Sequence, residues 1–292
     1  MLCFLGYDGY TSEKNPLLSD LACALEITHA AFLIQDDVMD NDRMRRGKDA
    51  VFVQLQKQYG SQLGNDEQLY KYLAVCIGDA GFHLANSISS TLPEPIRKTM
   101  NEVFFQTDIG QYDDLLYSQK TTLPEEEIIE QVYRNKTGKY TIGLPVITGM
   151  LLAGAPDEDV KTMKDIADIL GLIYQITDDE LNLIGDSQIS GKPTGSDITE
   201  NKKTIHMSRL SSIVKENGDT KLSAQLGKID KTDDDIHVII DAMHTYAVFN
   251  TLRDENAKRY ERAMALLDTM HIHPIQKELL KEFAHNLLTR TA

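Results

Sequence analysis

Apolar positions recur at three- and four-residue spacing along nearly all of this 292-residue chain, the period of helices buried on one face. The first long segment follows Asn15-Pro16, a pair that reads as an N-cap with Pro at the first helical position. From there to about Asp40 neither Gly nor Pro interrupts the run, about 25 residues or ~38 Å of helix. Further periodic stretches cover roughly 65–90, 93–118, 123–153, 157–184, 202–214, 232–268 and 273–290. Thr122-Leu-Pro-Glu125 fits a capping box, and Pro156 followed by Asp157, Glu158 and Asp159 marks another start. Alternation of the β type does not persist beyond a few residues. The least regular segment, Gly185 to Asn201, has loop chemistry and no change of composition across it. The pattern predicts one all-α domain of long helices over 1–292.

Two of these helices end in acid. LIQDDVMDNDRMRRG (33–47) carries Asp36, Asp37, Asp40 and Asp42 and then Arg43, Arg45 and Arg46. Asp36 and Asp40 share a helical face, whereas Asp37 is rotated by about 100° toward the flank. Acids at a helix C-terminus oppose the macrodipole at about 0.3–1 kcal/mol each, a cost that a cation removes. The segment YQITDDELNLIGD repeats the arrangement with Asp178, Asp179, Asn182 and Asp186. Two such ends facing each other would form an all-oxygen cavity suited to Mg²⁺, which keeps several waters and bridges to phosphate. Arg45, Arg46, Lys136, Lys139, Lys192, Lys202 and Lys203 would supply a basic rim for phosphate oxygens.

Charge narrows the classes. Thirty basic against 45 acidic side chains give a net charge of −15, which argues against a nucleic-acid or anionic-membrane binder. An anionic substrate therefore needs a local reversal of sign. Three scattered cysteines suggest neither a disulfide framework nor a zinc site, so a cytoplasmic setting is expected. No apolar run approaches the ~18 residues needed to span a bilayer, and no stable membrane insertion is expected. The start, MLCFLGYDGY, lacks the form of a signal peptide and is apolar from its first residue, as if the fold began upstream.

DDVMDNDRMRRG (36–47) resembles the first aspartate-rich motif and Arg-Arg pair of the trans-isoprenyl diphosphate synthases. ITDDELN (176–182) resembles their second motif, and KTGKYTIGLP (136–145) their Lys-Thr motif. FFQTDIGQYDDLL (104–116) is similar to the Gln-Thr…Gly-Gln…Asp segment, and GKPTGSDITENKK (191–203) to the lysine-bearing loop. The order agrees over essentially the whole chain. The resemblance implies an all-α bundle around a central cavity, of the isoprenoid synthase type. It implies a prenyltransferase condensing isopentenyl diphosphate with an allylic diphosphate, with two or three Mg²⁺ ions (Mn²⁺ as a substitute). By position, Asp36, Asp40 and Asp178 would ligate metal, supported by Asp37 and Asp179. Arg45, Lys136 and Lys192 would grip the allylic diphosphate, and Arg46 and His29 the isopentenyl diphosphate. Thr137, Gln175 and Lys202 would lie near the reacting carbons. Phe32, one turn before Asp36, would floor the chain pocket, with a C20 product ahead of C15. A homodimer formed through the 93–153 region is implied.

Two departures accompany the resemblance. A GGKRxRP-type segment, expected immediately upstream of this sequence with the first helix, is not in it; losing its two contacts would remove ~1.5–3 kcal/mol each. The chain is expected to be a shortened version or to bind isopentenyl diphosphate with Arg46 and His29 alone. Asn182 stands where the second motif ends in Asp, so a tuned site is expected. Three other readings remain open. Glu26-x-x-His29 and Glu282-x-x-His285 fit a di-iron bundle, which would leave the aspartate clusters unexplained. A terpene cyclase shares the DDxxD logic. A non-catalytic partner subunit of a heteromeric synthase would keep the fold without turnover.

Overall fold

The computed structural model describes residues 1–185, 195–228 and 230–290. Its contacts divide into two compact units, Glu13–Arg97 and Met1–Ser12 with Lys98–Ala292.

In the smaller unit, α2 (Leu17–Met39) packs against α4 (Glu67–Ser89), and α3 (Val51–Leu63) packs on α4 as well. α2 starts one residue later than expected, with Pro16 and not Asn15 at the N-cap, and Asn15 Oδ1 accepts from Leu17 N at 3.0 Å. α2 and α4 approach closely because small residues meet. A Cβ on Gly81 would lie 3.1 Å from the Cβ of Ala31. Phe52 and Tyr70 are fully buried between α3 and α4, beside Val53 and Ala74. Between α2 and α3 stands a hairpin, β1 (Met44–Arg45) with β2 (Lys48–Asp49), that period-2 patterning could not detect at two residues per strand. Its turn residues Arg46 and Gly47 both have positive φ, 52° and 73°, the twist that a two-residue hairpin requires.

α2 also corrects one expectation. It is 23 residues long, with a mean hydropathy of 1.6 over its most apolar 18-residue window, enough by length and composition to cross a membrane. An uninterrupted apolar count misses it because Asp20 and Glu26 break the run, while a windowed mean tolerates them. A helix packed in a protein core passes the same test.

The larger unit is built on α8 (Asp157–Ile184). Against it lie α6 (Glu126–Tyr133), a π-helix (Arg134–Gly143) and α7 (Leu144–Leu152), and α5 (Glu94–Ser118, from Lys98 onward) meets the π-helix through Gly110. Beyond α8 follow α9 (Ser196–Thr199), α10 (Ile205–Glu216), α11 (Thr220–Leu226), α12 (Asp233–Thr245), α13 (Val248–Thr269) and α14 (Pro274–Leu288). The apolar stripe 123–153 thus resolves into three elements, and 232–268 breaks at Ala247, whose φ is +54°. The capping box at Thr122 is absent: Glu125 is the N-cap, with no side-chain bond, because the helix begins three residues later than the motif needs. Short α1 (Leu2–Asp8) crosses α7 on reciprocal glycines. A Cβ on Gly6 would meet Val146 O at 2.1 Å, and one on Gly149 would meet Cys3 O at 2.1 Å. α6 is clamped by Arg209, whose guanidinium bonds Glu126 at 2.6 Å and Glu255 of α13 at 2.9 Å.

Candidate active site

In the smaller unit the hairpin folds the arginine pair back onto the acids of α2. Arg45 Nη2 donates to Asp36 Oδ2 at 2.8 Å and Nε to Asp37 Oδ1 at 2.5 Å, while Asp42 lies 4.0 Å away. The cation that the helix end needs is therefore supplied from nine residues along the chain. Asp37, on the flank, is 4% exposed, the most buried acid of the four. Neighbouring tertiary structure, the hairpin included, covers the side that an isolated helix would leave wet. Burial pushes its carboxyl up, and Arg45 opposes the shift. Asp36 and Asp40 are half-buried one turn apart, as their spacing predicts.

His29 belongs to the same neighbourhood. Burial pushes it below its ordinary value; Glu26 opposes this, and Arg46 and Arg45 add to it. Arg46 itself is exposed at the hairpin tip. Phe32 stacks edge-on against Phe82 of α4, centroids 4.9 Å apart, so a second aromatic stands beside it that sequence spacing did not reveal.

In the larger unit the Lys-Thr motif lies in the π-helix. The wide turn is held against α8 by two glycines in backbone contact: a Cβ on Gly171 would sit 2.2 Å from Gly138 Cα. On its other side Gly110 of α5 presses on Lys136, where a Cβ would come within 2.5 Å of the backbone nitrogen. This approach lets Lys136 Nζ reach Asp114 Oδ2 at 2.7 Å.

The packing of the π-helix on α8 produces a buried hydrogen-bonded chain. Thr137 Oγ1 donates to Gln175 Oε1 at 2.9 Å, and Gln175 Nε2 donates to Asp179 Oδ1 at 2.8 Å. Tyr133 donates its hydroxyl to the other oxygen of Asp179 and accepts from Ile205 N at 3.2 Å. Burial, reinforced by the charge of Asp197, pushes the Asp179 carboxyl well above the usual range against the bonds from Tyr133 and Gln175. Asn182 directs its Nδ2 at Asp197, 3.4 and 3.5 Å from the two oxygens. A carboxylate at 182 would set two like charges there, a physical reason for the amide. Asp178 is half-buried and accepts from Arg290 at 2.9 Å. Lys202 pairs with Glu200 at 3.2 Å. Lys192 and Asp186 lie outside the described residues.

Sequence reasoning did not single out Tyr133, Asp197, Phe82 or Arg290. Tyr133 carried one available signal, its position one helical turn before Thr137; the other three are brought in from remote segments. Among the described residues no three His, Cys, Asp or Glu side chains gather as a preformed cage. Asp36 and Asp40 in the smaller unit, and Asp178 in the larger, are each half-buried carboxylates of the donor chemistry that Mg²⁺ takes. That ion is bound through one or two carboxylates, with phosphate and water completing its shell, and does not need an all-protein cage.

Comparison with known proteins places these motifs in a family. The family model for polyprenyl synthetase matches residues 1–243. A geranylgeranyl diphosphate synthase of Sulfolobus acidocaldarius is 29% identical over 233 residues, 77% of this chain and 66% of the relative. A short chain isoprenyl diphosphate synthase of Methanocaldococcus jannaschii is 31% identical over 227 residues, 76% of this chain and 64% of the relative. The match thus spans just under two thirds of those curated relatives. The crystal structure of geranylgeranyl pyrophosphate synthase from Corynebacterium glutamicum, complexed with isoprenyl diphosphate and magnesium, superposes with a TM-score of 0.88. That likeness covers 99% of this chain and 85% of the other at 23% identity, and it shows a shared all-α fold. The chain belongs to the polyprenyl synthetase family.

Proposed function

We propose that this protein is a prenyltransferase that joins isopentenyl diphosphate to an allylic diphosphate, with a C20 product ahead of C15. The observation that carries the reading is the bonded run Thr137–Gln175–Asp179–Tyr133, which ties the Lys-Thr motif physically to the second aspartate motif.

Asp36, Asp40 and Asp178 would hold Mg²⁺, two or three ions with Mn²⁺ as a substitute, and Asp37 and Asp179 would support them. When bound, Mg²⁺ supplies positive charge to the diphosphate oxygens and the leaving pyrophosphate. Arg45, Lys136 and Lys192 bind the allylic diphosphate; Arg46 and His29 bind the isopentenyl diphosphate. The allylic C–O bond breaks, and pyrophosphate leaves with the electron pair. The isopentenyl double bond attacks the resulting cation, a C–C bond forms, and a proton is lost to the pyrophosphate. Thr137, Gln175 and Lys202 lie near the reacting carbons, where Thr137 and Gln175 present fixed dipoles to the developing cation. Phe32 floors the chain pocket with Phe82.

The chain is read as a single synthase domain and as a homodimer in the cytoplasm. Phe105, Ile109, Tyr112 and Leu116 support the dimer: they form one stripe on α5, exposed by 66, 40, 62 and 42%, a face suited to a second copy. The test is incubation of the purified protein with Mg²⁺, isopentenyl diphosphate and a dimethylallyl, geranyl or farnesyl primer, with products identified by mass. Elongation abolished by a chelator is expected. A folded protein that elongates none of the primers would refute the reading.

A further inference from the structure

We propose that Arg290 is a resident counter-ion of the acidic tip of α8, which a divalent cation must displace to take Asp178; this rests on reading Asp178 as an ion ligand. Arg290 follows Thr289, the C-cap of α14, and reaches a carboxylate 112 positions away. Its Nη1 donates to Asp178 Oδ1 at 2.9 Å. Its guanidinium carbon lies 5.3 Å from the ring centroid of Tyr174, one turn before Asp178 on the same helix. Carboxylate and ring thus hold one guanidinium on one side of α8.

The electrostatics of the helix end explain why a cation sits there. α8 has no basic residue in its last turn, while Asp178 adds negative charge toward its C-terminal end. The guanidinium offsets that charge. The pair is exchangeable, since each side chain is 32% exposed. A dication on the Asp178 oxygen and a guanidinium on the same oxygen repel each other. Occupancy by one therefore proceeds at the expense of the other, and Arg290 acts as a positioning residue that weakens divalent binding.

The test is titration of the full chain with Mn²⁺, free ion being followed by electron paramagnetic resonance. Arg290→Gln is expected to bind Mn²⁺ about two- to fivefold more tightly, the range for a partly exposed ion pair. The gain should shrink at about 1 M salt, where the screening length is ~3 Å, which a merely structural effect would not do. Arg290→Lys should stay near wild type. Asp178→Asn should weaken binding, and in the double variant Arg290→Gln should then have no effect. If Asp178→Asn weakens binding while Arg290→Gln leaves it unchanged, the counter-ion is overturned and the ligand reading stands. If Asp178→Asn changes nothing, both fall.

Discussion

Both ends of the Gln175 amide are engaged: Oε1 accepts from Thr137 at 2.9 Å, and Nε2 donates to Asp179 at 2.8 Å. The amide therefore fixes a residue of one motif relative to a residue of another. Gln175→Leu strands the Thr137 hydroxyl and one oxygen of Asp179 and should cost about 1–3 kcal/mol of stability. An ångström of misplacement at Thr137 should lower kcat by about a hundredfold. Urea unfolding and an elongation assay measure the two effects; a variant with wild-type kcat would remove Thr137 and Gln175 from the site.

Gly171→Ala tests the packing beneath that chain. The new Cβ would stand 2.2 Å from Gly138 Cα, backbone against backbone, so neither side can yield by a rotamer change. A loss of about 3 kcal/mol is expected, at the upper end for overpacking. Thermal unfolding checks it, and a melting point within a degree or two of wild type would show that the contact is looser than described.

Arg45→Gln leaves Asp37 buried without its cation. Destabilisation of about 1–3 kcal/mol should follow, and Asp37→Asn in the same chain should restore part of it. Equal instability of the single and double variants in urea would assign the loss to the hairpin instead.

Lys203 carries a pH dependence. It is 8% exposed and donates to Asn201 at 2.8 Å; burial, with Lys231 adding, lowers its pKa to about 8. Between about 8 and its ordinary 10.5 the native state binds fewer protons than the unfolded one. Stability therefore rises with pH through that window, and the cost of the buried charge is fully present below it. Lys203→Met should be more stable than wild type at neutral pH, the gap closing toward pH 10. Denaturation midpoints at several pH values decide; a gap independent of pH would contradict the assignment.

Phe32→Ala removes one ring of the edge-on pair with Phe82. If the pair floors the chain pocket, the product distribution should shift to longer prenyl chains, read by mass. An unchanged distribution with lowered stability would make Phe32 plain packing.

Much of the local helix geometry was legible in the sequence. Asp36 and Asp40 keep the shared face that their spacing implies, and Pro156 with three acids marks the start of α8. The hairpin was not legible, because two residues per strand carry no period and Arg46 is an unusual occupant of a left-handed turn position. Nor was the break of 123–153 into α6, a π-helix and α7, since the polar segment RNKTGKYTIG carries no spacing that marks a π turn.

The order of residues along the chain determined the helical class, the acid-tipped ends and the family, because each is written in short-range spacing. Tertiary packing decided which partner each charged or polar group holds: Arg45 on Asp37, Tyr133 on Asp179, Asn182 beside Asp197, Arg290 on Asp178. Those pairs lie up to 112 positions apart. A 3.6-residue period says which face of a helix is buried, but not what the rest of the chain will bring against it.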